Sequence, residues 1–267
     1  MSTVRPAAVA GMFYPDNATT LAQDLDSLLA DAKSRVLGLV PKALIVPHAG
    51  YIYSGPIAAS AYALLKPLAA TVRRVILLGP THRVAVRGLA LPGTDAFASP
   101  LGIVNINQDA VRKIAQLPQV TISPQAHALE HSLEVHLPFL QMMLSDFTLL
   151  PLAVGMASAE EVAEVLEALW GGPETLIVIS SDLSHYLPYD VANVADSGTA
   201  QAILRLEETV THQQACGGTP VNGLIVAARN HGLTPHLLDL RNSGDTAGDK
   251  SRVVGYGAFA FTETNHD

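Results

Sequence analysis

Three apolar runs in this sequence each close on a chain-breaking or small polar residue and then deliver a histidine. That recurrence limits the fold more than any other feature. The runs are Leu44-Ile45-Val46-Pro47-His48, Val75-Ile76-Leu77-Leu78-Gly79-Pro80-Thr81-His82 and Leu176-Ile177-Val178-Ile179-Ser180-Ser181-Asp182-Leu183-Ser184-His185. A short run that is apolar at every position reads as a buried strand when breakers bound it. Each histidine then stands just past a strand's carboxyl end, where open α/β sheets place their ligands. Three such deliveries at one edge predict a shared site.

The segments between these runs supply the rest of an alternating pattern. Asn17 is placed to cap a helix over 21–32, where Leu21, Leu25, Leu28 and Leu29 recur at helical spacing. Ser54-Gly55-Pro56 reads as the start of a helix through about residue 65. With its flanking strands this helix forms a βαβ unit, which implies parallel pairing and a right-handed crossover. His48 and His82 are therefore expected as lateral neighbours. Residues 88–92 and 101–106 read as a local hairpin, 107–117 as a helix, and 131–144 as an amphipathic helix bent at Pro138. A strand over 147–154, a helix over 158–170 capped by Ser158, a helix over 191–206 and another over 219–230 follow. The last strands are 236–241 and 252–262. The alternation predicts one α/β domain spanning residues 1–267, a mainly parallel central sheet flanked by helices.

Several constellations in this frame carry chemistry. Two imidazoles plus a carboxylate, with open positions, are the ligand set of non-haem Fe(II) oxygenases, and they also suit zinc. Against this, His48 and His82 each merely end a strand. Asp182 and His185 share a polar loop; Asp182 either caps a helix or orients a histidine, and His185 either ligates or moves a proton. Glu130-His131-Ser132-Leu133-Glu134-Val135-His136 straddles a helix start, with His131, Glu134 and Glu130 on one face. The histidine spacing there is not that of an H-E-x-x-H zinc site. Ser243-Gly244-Asp245-Thr246-Ala247-Gly248-Asp249 is an acidic glycine-rich loop that reads as a turn or as a carboxylate delivered to a metal. Cys216 is equally a buried small residue and a reactive thiol. Walker A, G-x-G-x-x-G, G-x-S-x-G and paired C-x-x-C motifs are absent.

Composition narrows the class. Hydrophobic residues make up 49% of the chain and charged residues 15%, enough to build a core and too apolar for disorder. A net charge of −8 opposes non-specific nucleic-acid binding. No apolar run is long enough to span a bilayer, and Met1-Ser2-Thr3-Val4-Arg5-Pro6 lacks the apolar stretch of a signal peptide. With a single cysteine, a reducing cytoplasm is the expected location.

Motifs spread along the whole chain resemble the Memo family, also called AmmeMemoRadiSam system protein B. They are Arg5-Pro6-Ala7 with Gly11-Met12-Phe13-Tyr14-Pro15, Pro47-His48-Ala49-Gly50-Tyr51, Gly79-Pro80-Thr81-His82, Glu130-His131-Ser132-Leu133-Glu134-Val135-His136-Leu137-Pro138, Ser180-Ser181-Asp182-Leu183-Ser184-His185, Ala215-Cys216-Gly217 and Gly255-Tyr256. The resemblance implies a fold like class III extradiol dioxygenases, which hold Fe(II) with two histidines and a carboxylate. It puts His48 and His82 at the metal-histidine positions and His185 at the family's third pocket histidine. Animal members have a cysteine ligand shortly before the final strand. Here that position falls at Thr246 by gap-free counting from Tyr256, with Asp245 beside it.

The expected metal set is therefore His48, His82 and Asp245 around one divalent ion, Fe(II) first and zinc or copper as alternatives. The expected catalytic groups are His185, Asp182, His131 and Glu130. The resulting expectation is a dioxygenase-like oxidoreductase acting on a small molecule. A peptide- or ligand-binding module and a zinc-dependent hydrolase are the rival readings. The family's name implies radical-SAM and AMMECR-type partners, with no nucleic acid and no membrane.

Overall fold

In a computed structural model, residues 3–32 and 38–263 are described. Met1 and Ser2, which begin the stretch read as lacking a signal peptide, lie outside the described residues. The elements run β1 (Val4–Arg5), α1 (Ala18–Ala32), β2 (Pro41–Val46), α2 (Tyr51–Tyr62), β3 (Arg74–Pro80), β4 (Leu89–Leu91), β5 (Ala96–Ser99), β6 (Gly102–Asn105), α3 (Gln108–Ile114), β7 (Val120–Ile122) and α4 (Pro124–Ala128). Then come α5 (Leu137–Met143), β8 (Thr148–Val154), α6 (Ala159–Leu169), β9 (Thr175–Ser180), β10 (His185–Leu187), α7 (Tyr189–Leu204), α8 (Gly218–Asn230), β11 (Thr234–Asn242) and β12 (Val253–Thr262).

The strands that are apolar at every position lie in the middle, as their burial on both faces requires. Among the described residues a nine-stranded sheet runs β10-β12-β2-β9-β3-β8-β4-β7, with β11 on the free side of β12. The central four, β2, β9, β3 and β8, are parallel. β12 is antiparallel to β2, β11 antiparallel to β12, and β4 antiparallel to β8, so the whole sheet is mixed. Alternate residues of one strand feed two cores. Leu44, Val46, Leu77 and Val178 pack under α1, α2 and α5 with Leu25, Ile57, Tyr62 and Phe139. Ile45, Ile76, Leu78 and Ile179 pack under α6 and α8 with Val162, Leu166 and Leu224. Each such side chain, fully buried, contributes about 1.5–3 kcal/mol. None of the helices among the described residues is long and apolar enough to cross a membrane.

Four expectations are corrected. β2 and β3 are not adjacent, because β9 pairs with both and separates them. The helix expected to open at Ser54 begins at Tyr51: the amides of Tyr53 and Ser54 already reach the Gly50 carbonyl, and Ser54 Oγ bonds back to Ala49 instead of capping. Residues 88–92 supply a strand of the main sheet, and the hairpin partner of 102–105 is 96–99, in a small sheet with β1. No continuous helix spans 131–144. A turn and the 3-10 segment Glu134–His136 precede α5, and Pro138 falls in that helix's first turn, where its missing N–H costs nothing. β7 and α4 fall between the predicted elements; Ser123-Pro124 is a helix-start signal, and Ser123 caps α4.

Candidate metal centre

The carboxyl ends of β2, β9 and β3 form one rim, and the turn after α4 folds over it. His48 follows β2, His82 follows β3, and His131 comes from that turn. One ring nitrogen from each lies within 4.8 Å of the others. The His48 and His82 ring centroids are 5.2 Å apart, His48 and His131 5.4 Å, and His82 stacks on His131 at 4.7 Å.

Each ring is held from behind. Ser180, the last residue of β9, donates its hydroxyl to the Ser132 carbonyl at 2.5 Å and so accepts from His48 Nδ1 at 2.6 Å. That assigns the proton to Nδ1 and leaves the Nε2 lone pair toward the site. Glu130 does the same for His82. Its carboxylate accepts from His82 Nδ1 at 2.8 Å and from the amides of His82, His131 and Ser132. A carboxylate behind a histidine is the usual outer support of a metal-binding imidazole. Phe13 packs against the His131 ring at 4.7 Å.

The electrostatics favour neutral imidazoles at His48 and His131, the form that binds metals. Burial holds His48 well below the ordinary histidine range, and the surrounding histidines push it further down. Burial takes His131 down to about 4, against an upward pull from Glu130. Burial acts to raise the Glu130 carboxyl, but bonds from His82 and nearby amides outweigh it and hold the group at about 2. Asp182 is raised to about 7 by burial, although it accepts from the His48 amide at 2.7 Å. The donor set thus fits one divalent ion: three nitrogens converge, two of their rings fixed by bonds to the opposite side.

The Memo-like protein family's sequence profile matches residues 5–260. The chain belongs to this family. It is 37% identical over 266 residues to a MEMO1 family protein of Aquifex aeolicus, covering 95% of this chain and 97% of that one. It is 33% identical over 280 residues to a Sulfolobus acidocaldarius member, again covering 95% and 97%. The crystal structure of the uncharacterized protein JW3007 from Escherichia coli K12 shares the fold, with a TM-score of 0.51 at 16% identity over 80% of this chain and 98% of that one.

In this Memo-family chain the structure brings His48, His82, His131 and Glu130 together. His185 and Asp182 line the same cavity, whose volume is about 620 Å³. Asp245 is not brought there. Its carboxylate is exposed, accepts from Tyr189 Oη at 2.5 Å and caps the Asn242 amide at 3.0 Å. Thr246, the position reached by counting, donates to the Ser243 carbonyl. Among the described residues the His131 imidazole, and not the expected carboxylate, joins His48 and His82 in a group that could hold an ion. Cys216, left open by the sequence, reaches the site: its Sγ lies 3.3 Å from His48 Nε2. Burial raises this thiol to about 12, which keeps it protonated at neutral pH. No spacing rule pointed to it, because α8 and its preceding turn bring it in from a distant part of the chain.

Proposed function

We propose that His48, His82 and His131 hold a single divalent metal and that the protein is a metal-dependent enzyme acting on a small molecule in the cavity above them. The observation that carries this is the convergence of three imidazole nitrogens within 4.8 Å, with Glu130 and Ser180 bonded to the far side of two rings. Three ligands from one side leave positions open for a substrate. Fe(II), bound there, would supply redox chemistry toward O₂ and an organic co-substrate.

The chain's own groups would position and move protons. Glu130 and Ser180 fix the ring orientations. Asp182, near 7, can take or give a proton at its carboxyl oxygen close to neutral pH. His185, pulled below its ordinary value by burial, is a neutral acceptor on the cavity wall.

A second reading, zinc-dependent hydrolysis, is favoured by the all-imidazole donor set, which matches zinc sites that activate water. Cytoplasmic location and company from radical-SAM and AMMECR-type proteins are proposed on the lone cysteine and the family resemblance.

The test is metal analysis of protein purified without oxygen. About one ion per chain is expected, lost in His48→Ala and in His131→Ala and kept in Asp245→Ala. Iron supports the oxidoreductase reading and zinc the hydrolase. Wild-type protein without metal, or His131→Ala with full occupancy, overturns the assignment.

A further inference from the structure

Tyr186 is one of two non-glycine residues with positive φ among the described residues, at 61°. A side chain as large as tyrosine is rarely found there, and such conformations collect at functional sites. The cause is visible in the sheet. β10 pairs with β12 through His185 with Val254 and Leu187 with Val253, and the register shifts between those two pairs. Tyr186 is the extra residue of that bulge. Bulges re-aim side chains, and here the ring is turned out of the sheet to the mouth of the histidine cavity, where it is 62% exposed.

Arg252 meets it there. Its guanidinium carbon lies 5.0 Å from the Tyr186 ring centroid. Both side chains line the cavity, with Phe13, Tyr53 and Tyr256 on its walls. No ion pair of Arg252 occurs among the described residues, and its planar fork of N–H donors is exposed. One acid of the wall, Asp249, has its carboxylate turned to the Ser251 amide at 2.6 Å.

We propose that Arg252, braced on the Tyr186 ring, is the specificity-determining residue of this cavity and selects a small ligand that carries one carboxylate on a planar apolar body. The inference rests on the reading that the histidine cavity is the ligand site. One guanidinium matches one carboxylate through two parallel hydrogen bonds. A second negative charge, as on a phosphate ester, finds no second arginine or lysine in the cavity wall of the metal-free protein and meets Asp249 and Asp182 instead. The aromatic walls suit a flat apolar body, which stacks on rings. The bulge explains why the strain at Tyr186 persists: a relaxed β residue there would not present its ring to Arg252.

The test uses the full chain stripped of metal, with benzoate, its neutral isostere benzamide, and phenyl phosphate as calorimetric probes. Benzoate is expected to bind about tenfold or more tightly than benzamide, since a hydrogen-bonded charge is worth at least that. Arg252→Gln should reduce benzoate to the benzamide level and leave benzamide unchanged. Tyr186→Gly should weaken both probes without lowering the melting temperature, because glycine relieves the positive φ; a purely structural tyrosine would show the opposite. Equal binding of benzoate and benzamide, no saturable benzoate binding, indifference to Arg252→Gln, or tighter Arg252-dependent binding of phenyl phosphate each overturns the proposal. The same titration on His48→Ala separates the two readings. Arg252-dependent benzoate binding there, with no metal found in wild type, sinks the metal assignment and leaves the carboxylate site standing.

Discussion

Glu130 and Glu134 stand four residues apart in the same segment, both buried, and they do opposite work. Glu134 is saturated from within the fold. It accepts from Arg5 Nη1 at 2.6 Å, the amides of Ala8 and Val9, and Tyr14 Oη at 2.6 Å. Arg5 continues to the carbonyls of His127 and Glu130, so residues 5–14 are fastened to the turn over the sheet. Glu130 also collects backbone amides, but one of its partners is His82, whose other ring nitrogen faces the site. The difference teaches that a buried carboxylate signals function only when its partner has a second, unfilled valence. Glu134 closes a network and Glu130 leaves one open.

The largest effect expected from this contrast is on folding. Glu134→Gln leaves Arg5 buried without its counter-charge and should cost about 3–5 kcal/mol in denaturant unfolding. The metal content of the remaining folded protein should not change. A loss under about 1 kcal/mol would mean that Glu134 is no anchor.

Acid should reveal a comparable term from a core histidine. His127 donates to the Ala90 carbonyl and is held by burial at about 4, below its unfolded 6.5. Its folded value is depressed, so the unfolded chain takes the proton first. Stability is present above pH 6.5 and falls as pH drops toward 4, by up to about 3 kcal/mol. Melting temperature against pH for wild type and His127→Gln measures it, and parallel curves would show that His127 contributes nothing in that window.

Glu130→Gln sharpens the other side of the comparison. It should weaken metal affinity about 10–100-fold, the usual cost of losing such a support, with a smaller loss of stability than Glu134→Gln. Competition with a chromophoric chelator reads it directly. The smallest change should come from Asp245→Ala, which removes a cap worth about 1 kcal/mol and leaves metal binding alone. If that variant loses its ion, the 243–251 loop rearranges around metal and His131 yields its place.

The sequence shows the frame of this site more plainly than its contents. The runs ending at His48, His82 and Ser180 are legible because strands buried on both faces are apolar without interruption, and the third run forms β9, Thr175–Ser180. The histidine-rich stretch is harder. His127, His131 and His136 lie within ten residues of one another, yet His127 serves Ala90 and His136 Nδ1 bonds Tyr62, so of these three His131 turns to the site. Nothing in their spacing separates them, because the turn fixed by Glu130 breaks the helix that would have given a regular face. Asp245 was misplaced for a related reason. Counting along a loop says where a carboxylate falls in the chain, and the Asn242–Asp245 capping box decides where it points.

The insertion of β9 between β2 and β3 sets the spacing of the proposed metal-binding histidines. Neighbouring strands lie about 4.8 Å apart, so the backbones that carry His48 and His82 start roughly 10 Å from one another and their rings lean inward across the tip of β9. The aperture between those two nitrogens is thus inherited from the hydrogen-bond pitch of a sheet that the hydrophobic cores hold together. An ion bound as proposed would not gather its ligands; it would be measured by a gauge whose jaws were set when the chain folded.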